Sequence, residues 1–150
     1  MPSKKAVLAI VLVAIVIAGV AMGANVLWQS FTGSFKEVEN AIDTYINALN
    51  KYNATEAWTL MSPTLRGEKI YSEFEEFVHN LESKQWRANI KSVSSRSVET
   101  KNGRTTATFI LMAKITETDP IVGTETYTEE WAFNLVKVNG RWMINEWLYQ

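Results

Sequence analysis

Two glutamates close to the end of the chain are the side chains best suited to acid–base chemistry. Glu129 and Glu146 lie in segments where apolar and polar residues alternate, a pattern typical of β-strands with one buried face. On a concave apolar face, such a carboxylate can act as a general base. The pattern favours an alternative interpretation. In it, the ends of the apolar sheet face extend beyond the core, and both carboxylates reach solvent or pair with a basic side chain.

The register of the last hairpin decides which side chains share a face. The Asn-Gly pair at 139–140 lies between two apolar arms and predicts a type I′ turn, so cross-strand partners have numbers that sum to 279. This register places Leu135 opposite Ile144 and Phe133 opposite Glu146 on the core face. On the outer face it places Met143, Trp147 and Tyr149.

Two sets of candidate functional residues follow from this register. The candidates for lining a ligand pocket are polar and aromatic residues expected on the concave side: Tyr45, Trp58, Glu129, Trp131, Trp142 and Glu146. The candidates for an interface with a protein partner or a second copy are Met143, Trp147 and Tyr149. An exposed aromatic patch of this kind is typical of an interaction surface.

Composition and motifs disfavour several classes of site. The chain has no cysteine and a single histidine, His79, so we predict neither a metal site nor a cofactor. It contains no glycine-rich phosphate loop, no nucleophile elbow and no paired-histidine zinc motif. A formal net charge of −1 gives no electrostatic basis for nucleic-acid binding. The sequence therefore favours a protein that is not an enzyme.

The elements that position these residues are three helices followed by four strands. Apolar residues recur with a helical period over 35–53, 53–67 and 71–84, and Pro63 and Gly67 are expected to end the second helix. The period changes to two after Trp86, and Asn-Gly pairs at 102–103 and 139–140 each predict a hairpin. A loop over residues 116–125 is expected to join the two hairpins. The predicted fold class is α+β, with three helices packed on a curved, antiparallel, four-stranded sheet.

Asn53 begins an Asn-Ala-Thr tripeptide that matches the acceptor sequence for N-glycosylation. Such tripeptides occur often by chance, and Asn53 also stands where the second helix would begin. Helix capping is therefore the favoured role, and glycosylation is the alternative.

An uncharged apolar segment, residues 6–27, precedes the predicted domain. At about 1.5 Å per residue, it is long enough to cross a hydrocarbon core of about 30 Å as a helix. Lys4 and Lys5 precede the segment and place the amino terminus in the cytoplasm. We therefore predict a single-pass signal anchor over 1–30 in the cell membrane and an extracytoplasmic domain over 31–150.

Two alternatives to a retained anchor remain open. A cleaved signal peptide would also have a basic start and small residues such as those at 18–24, although the apolar run continues to Leu27. A pilin-like leader, processed near the Lys-Lys-Ala at 4–6, would leave an apolar helix to pack in a filament core. All three interpretations place the domain outside the cell membrane.

The order of elements and the closing hairpin resemble the NTF2-like (cystatin-like cone) superfamily. Many members end on a strand pair reading roughly hydrophobic-K-x-[DN]-G-x-W-x-I, which Leu135 to Ile144 follow here, and "AWTLMSPTLRG" resembles the region of their second helix. The resemblance covers about residues 35–150 and implies a curved sheet around the first helix with a pocket at the open end of the cone. Enzymes of the superfamily use Asp–His, Asp–Tyr or Asp–Arg–Asn sets, which Asp43 and Asp119, the only aspartates, do not match.

Three functions are expected from these observations. The first is a membrane-anchored, non-enzymatic module that binds a protein partner or a second copy through the outer face of the sheet. The second is a cone-pocket protein that binds, or less readily transforms, a small apolar ligand. The third is a pilin-like filament subunit.

Overall fold

The computed structural model describes residues 34–149, and the predicted anchor, residues 6–27, lies outside them. The chain divides into two compact units after Ser34, and the second unit, Phe35–Gln150, contains the β-sheet. Among the described residues, no helix is long and apolar enough to cross a membrane.

Four helices precede the sheet in the chain. Helix α1 occupies residues 34–50, α2 Ala54–Thr59, α3 Pro63–Glu68 and α4 Tyr71–Ser83. The helical period of α1 correctly predicted its buried stripe, which consists of Val38, Ile42, Tyr45, Ile46 and Leu49. The ring of Tyr45 contacts that of Phe133 edge to face, so this stripe packs on the sheet.

The prediction of a single second helix is wrong, because two short helices, α2 and α3, occupy that region. Pro63 begins α3 and does not end a helix, since the first turn of a helix needs no proline N–H. The Ser62 hydroxyl caps α3 by accepting a hydrogen bond from the Leu65 amide at 3.1 Å. The helices therefore number four over residues 34–149.

Asn53 caps α2, as its position at the expected helix start indicated. Its side-chain oxygen accepts a hydrogen bond from the Glu56 amide at 3.0 Å, and its amide group donates to the Glu56 carboxylate at 3.1 Å. The residue is exposed. Glycosylation of Asn53 stays a prediction.

Four antiparallel strands form one sheet in chain order. Strand β1 is Arg87–Lys101, β2 Arg104–Asp119, β3 Gly123–Val138 and β4 Arg141–Tyr149. Both Asn-Gly turns have positive φ at their two central residues, with 53° and 74° at 102–103 and 49° and 79° at 139–140. These angles are those of type I′ turns, which confirms both predicted hairpins.

A third tight turn joins β2 to β3, where the sequence suggested a longer loop. The Asp119 carboxylate accepts hydrogen bonds from the Ile121 amide at 2.7 Å and the Val122 amide at 2.9 Å. Asp119 pairs with Gly123, so the two strands extend to the turn itself. The two central strands are therefore each 16 residues long.

The core lies between α1 and the inner face of the sheet. The largest buried side chains of the strands alternate along them and belong to Phe109, Leu111, Ile115, Trp131, Phe133, Leu135 and Ile144. The α+β class with one antiparallel four-stranded sheet is thus confirmed.

Both edges of the sheet are partly covered by the helical half of the domain. The Asn50 side chain accepts from the Ala88 amide at 2.8 Å and donates to the Ala88 carbonyl at 2.9 Å on β1. On β4, the Ile144 amide donates to the Leu60 carbonyl at 2.9 Å, and its carbonyl accepts from the Ser62 amide at 2.7 Å. These contacts occupy backbone groups that would otherwise be open to strand addition.

Candidate ligand-binding site

The last hairpin contains a β-bulge that the sequence did not predict. The predicted pairing holds from the turn to Leu135 and Ile144, but the next residue of β3, Asn134, pairs with Glu146. Asn145 is therefore an extra residue on β4. A shift of one residue exchanges the two faces of a strand for all residues beyond it.

The bulge reverses the predicted positions of Glu146 and Trp147. Glu146 is exposed on the outer face and accepts a hydrogen bond from the Asn134 amide group at 2.6 Å. Trp147 faces the interior, where its ring stacks on that of Phe133 with 5.7 Å between centroids and meets that of Trp131 edge to face at 5.1 Å. Glu146 is thus not a core-face carboxylate, and Trp147 is not an outer-face residue.

The reason for the reversal is energetic and lies partly in a distant segment. Burying the indole of Trp147 removes a large apolar surface from water, whereas burying the Glu146 carboxylate would remove its hydration. The buried Ser62 hydroxyl also donates to the Asn145 side-chain oxygen at 2.8 Å, which holds the extra residue in place. Together these contacts favour the bulged strand over the regular one.

Trp147 and Phe77 line two adjoining clefts. The larger, of about 670 Å³, lies between the α3–α4 region and β4, and Tyr45 and Glu146 also line it. The smaller, of about 290 Å³, lies between α4 and the central strands. Because Trp147 lines both clefts, the bulge that turns its ring inward also shapes their surfaces.

We call the smaller cleft the aromatic cleft. Its five aromatic residues are Phe77, Trp86, Tyr127, Trp131 and Trp147. Trp86 and Trp131 are buried and stack with an interplanar angle of 14° and 6.1 Å between centroids, so they form the deep part. Phe77, Tyr127 and Trp147 are half-buried and form its more exposed walls.

Two carboxylates face the aromatic cleft. The half-buried Glu129 accepts a hydrogen bond from the Trp131 indole N–H at 3.0 Å, which fixes both side chains. Glu117 lies 3.8 Å from the Lys84 ammonium and has a side chain only 25% exposed. Burial raises the pKa of the Tyr127 phenol, and the negative charges of Glu117 and Glu129 raise this pKa further. The cleft therefore combines aromatic rings with a negative electrostatic potential.

The six residues predicted to line one pocket lie in four places. Tyr45 and Glu146 line the larger cleft, and Glu129 and Trp131 line the aromatic cleft. The phenol of Tyr45 is buried, and this burial raises its pKa above the ordinary value. Tyr45 therefore stays protonated at neutral pH.

The remaining two predicted pocket residues line neither cleft. The ring of Trp58 packs against those of Tyr71 and Phe74, with centroid distances of 5.3 and 5.5 Å. The Trp142 indole N–H donates to the Glu37 carboxylate at 3.3 Å. Both tryptophans thus pack against the helices: Trp58 against α4 and Trp142 against the start of α1.

Of the predicted interface residues, only Met143 is described on the outer face. It pairs with Val136 and is half-buried. Trp147 lies inside, and Tyr149 pairs with Trp131, but its side chain lies outside the described part of the chain. The predicted aromatic patch on the outer face is therefore not formed by Trp147.

Phe77, Tyr127 and Glu117 were not among the predicted site residues. Tyr127 pairs with Ile115, and this register follows from the tight turn after Asp119. The Asp-Pro sequence at 119–120 was the available signal for that turn. Interpreting residues 116–125 as a loop left the pairing of β2 with β3, and hence the positions of Tyr127 and Glu117, unassigned.

No group of three or more His, Asp or Glu side chains that could hold a metal ion occurs within residues 34–149. His79, the only histidine of the chain, lies on the exposed side of α4, with its Nδ1 atom 3.2 Å from the Glu82 carboxylate. The polar side chains that line the aromatic cleft are those of Asn80, Lys84, Glu117, Tyr127 and Glu129.

Solved structures of other proteins share this architecture. A calcium/calmodulin-dependent protein kinase II association domain from Xanthomonas campestris matches with a TM-score of 0.57 and 18% identity, over 75% of this chain and 84% of that chain. A nuclear transport factor 2 (NTF2-like) superfamily protein from Salmonella enterica matches with a TM-score of 0.58 and 16% identity, over 77% and 88%. A ketosteroid isomerase-like protein from Erwinia carotovora atroseptica matches with a TM-score of 0.55 and 17% identity, over 76% and 92%.

These likenesses concern the fold, because identities below one fifth carry no information on activity. No protein-family model and no curated protein matches the chain. The α+β architecture with its four-stranded antiparallel sheet and the likeness to these structures agree with the resemblance in the closing hairpin. The described domain therefore has the NTF2-like fold.

Proposed function

We propose that this protein is a non-catalytic binding module that captures a small ligand in the clefts that Trp147 lines. The observation that carries the proposal is the inward position of Trp147, which lines two adjoining clefts together with Phe77. Aromatic walls with a few oriented polar groups are typical of small-molecule sites. In this proposal, residues 6–27 hold the domain at the outer surface of the cell membrane.

The polar groups of the aromatic cleft support a role in recognition. Glu129 is engaged by the Trp131 indole N–H, and Glu117 by Lys84. A carboxylate that fixes an indole holds the shape of a binding surface, whereas proton abstraction needs a carboxylate directed at the substrate. A binding role therefore accounts for these contacts better than general-base catalysis does.

A variant that fills the aromatic cleft tests this function. Asn80 is exposed at the edge of the cleft on α4, so Asn80→Trp adds an indole there without removing a buried contact. Ser83→Trp adds the same ring on the same helix, outside the residues that line the cleft, and is the matched control. Ligand-observed NMR would screen a library of small molecules against the full chain in a maltoside detergent.

We expect ligands that bind the parent and Ser83→Trp and lose binding to Asn80→Trp. A ligand at about 100 times its Kd should also stabilise the domain by about 2.7 kcal/mol, which is visible as a rise in Tm of several degrees. Equal binding to Asn80→Trp, or no ligand in a broad library, would contradict the proposal.

A second candidate function is association through the outer face of the sheet. Aliphatic side chains of neighbouring strands form a strip there, whose members are Ile110, Met112, Ala132 and Leu148. The hydrogen-bonded row of Thr108, Asn134 and Glu146 separates this strip from Met143. Leu148 is 51% exposed, and its cross-strand neighbour Ala132 pairs in turn with Ile110. The name of one structural neighbour, an association domain, is in keeping with such a role.

Sedimentation velocity of the full chain in detergent tests the association. We expect a dimer or larger assembly that Leu148→Glu dissociates, while Thr128→Glu, an exposed change elsewhere on the same face, leaves it intact. A monomeric parent, or an assembly unaffected by Leu148→Glu, would rule out the strip as the interface.

A further inference from the structure

We propose that the aromatic cleft recognises a small organic cation whose ammonium group is methylated, such as a quaternary ammonium. The inference rests on the proposed function, because it names the ligand class of the same site. Three features of the cleft carry it: its rings, its charges and the groups that its carboxylates already bind.

The rings provide the first argument. The face of an aromatic ring attracts a cation placed within about 6 Å of its centroid, and Trp is the strongest such partner. The described lining of the cleft includes three tryptophans, Tyr127 and Phe77. Of these rings, those of Trp147, Tyr127 and Phe77 are half-buried and retain surface that a ligand can contact. Its volume of about 290 Å³ is at the lower end of the range of about 300–1,000 Å³ for small-molecule sites. The cleft therefore suits a compact cationic head group.

The charges provide the second argument. Glu117 and Glu129 line the cleft, and Lys84 is the basic residue among its described lining residues. Within residues 34–149, no basic side chain forms an ion pair with Glu129. The charges of these three side chains therefore sum to −1 around a partly buried aromatic surface, which a bound cation would neutralise.

A like-charge pair adjoins the same cleft. Glu117 on β2 lies directly opposite Glu125 on β3, and like charges in this position destabilise a sheet. Glu125 also contributes to the raised pKa of Tyr127, so its charge acts on the cleft. A cation bound in the cleft would offset this repulsion, which gives the pairing a role in binding.

The hydrogen bonds of the cleft indicate a methylated ammonium. A primary ammonium has three N–H donors and is strongly hydrated, so it needs several acceptors to replace water. Glu129 already accepts from Trp131, and Glu117 is paired with Lys84. A quaternary ammonium has no N–H to satisfy and can rest its methyl groups on the rings.

Isothermal titration calorimetry with choline tests the inference on the full chain in a maltoside detergent. The matched ligand is 3,3-dimethylbutan-1-ol, which has the shape of choline without its charge. We expect choline to bind at least about tenfold more tightly than the neutral alcohol, because the ring faces and the carboxylates attract charge. Asn80→Trp should abolish the binding of choline.

A second pair of variants isolates the charge of the cleft. Glu129→Gln retains an acceptor for the Trp131 indole but removes the negative charge, so we expect it to weaken choline binding about tenfold while binding of the alcohol is unchanged. Glu130→Gln removes a charge from the exposed outer face and should leave choline binding unchanged.

The outcomes separate this inference from the proposed function. Equal affinities for choline and the alcohol, both lost in Asn80→Trp, would overturn the cation preference and retain the cleft as a binding site. If Glu129→Gln and Glu130→Gln weakened choline binding equally, the inference would also be overturned. The overall negative charge of the domain, and not the charge of the cleft, would then attract choline. Absence of choline binding would overturn the inference, while the library screen with Asn80→Trp would still decide the proposed function.

Discussion

The bulge decides which of two adjacent residues on β4 faces the interior. Trp147 packs on Phe133 inside the domain, and Leu148 is exposed on the outer face. We expect Trp147→Ala to lower the free energy of unfolding by about 3 kcal/mol, and Leu148→Ala by less than about 1 kcal/mol. Urea unfolding followed by circular dichroism would measure both values. If Leu148→Ala lowered the free energy of unfolding more than Trp147→Ala, β3 and β4 would pair regularly, without the bulge.

Asp43 on α1 makes the stability of the domain depend on pH. Burial raises the pKa of its carboxyl, and the neighbouring charge of Glu39 raises this pKa further. The folded state therefore binds the proton more tightly than the unfolded state, and Asp43 destabilises the fold at pH values above its folded pKa. We expect Asp43→Asn to raise Tm at pH 7, with a difference that disappears as pH falls below the unfolded pKa.

Asp119 provides a control of opposite sign. Hydrogen bonds from the Val122 and Ile121 amides lower the pKa of its carboxyl, so its contribution is present above the unfolded pKa and is lost as pH falls through the folded pKa. Asp119→Ala should therefore lower Tm at pH 7. If both variants shift Tm at pH 7 in the same direction, these carboxyls do not act as described.

Single residues of the last hairpin also show which side-chain positions the sequence predicts and which it does not. Trp142 and Ile144 are buried as their distance from the Asn-Gly turn predicted, because a type I′ turn sets the first few pairs of a hairpin. Glu146 and Trp147 were assigned to the wrong faces because a regular ladder was extended through the bulge. Ser62, which binds the extra residue Asn145, is 83 positions away, so no local pattern reports the contact.

At the scale of elements, Ser62 connects three parts of the domain. Its hydroxyl accepts from the Leu65 amide at the start of α3 and donates to Asn145 on β4, and its own amide donates to Ile144. We expect Ser62→Ala to lower the free energy of unfolding by about 1–3 kcal/mol, because buried polar groups lose their partner. The measurement is chemical denaturation.

Ser72→Ala is the control for this change, since Ser72 is exposed on α4. It should alter the unfolding free energy by less than about 0.5 kcal/mol. Equal effects of the two variants would show that the hydroxyl of Ser62 does not hold β4 and α3 together.

Elements with strong local signals were predicted, and elements defined by tertiary contacts were not. The periodic stripes of α1 and α4 and the two Asn-Gly turns are encoded within a few neighbouring residues. The division of the second helix into α2 and α3 depends on the pairing of Leu60 and Ser62 with β4, which the local sequence cannot reveal. The aromatic cleft depends on the same long-range geometry.

At the scale of the whole molecule, the proposed location can be tested with cysteine chemistry. The chain has no cysteine, so Ser94→Cys, on the exposed strand β1, introduces a unique thiol. We expect a membrane-impermeant maleimide to label Ser94→Cys on intact cells, because the domain is proposed to lie outside. Ser3→Cys, before the anchor, should react only after lysis. If only Ser3→Cys is labelled on intact cells, the orientation is the opposite of the one proposed, with the domain on the cytoplasmic side.

The mature amino terminus distinguishes a retained anchor from its alternatives. An amino terminus at Met1 or Pro2 agrees with the anchor, whereas cleavage near residues 4–6 would support a pilin-like subunit. Cleavage after the small residues at 18–24 would support a signal peptide. Mass spectrometry of the purified protein measures it directly.

The central claim is that the aromatic cleft recognises a methylated ammonium. Choline titration of protein with ¹⁵N-labelled tryptophan tests it most directly, with sodium chloride as the control for ionic strength. We predict that the indole N–H signals of Trp86, Trp131 and Trp147 shift, because these rings line the cleft. The signals of Trp58 and Trp142 should stay in place. Shifts confined to these two signals, or no shift of any indole signal at the highest choline concentration, would contradict the claim.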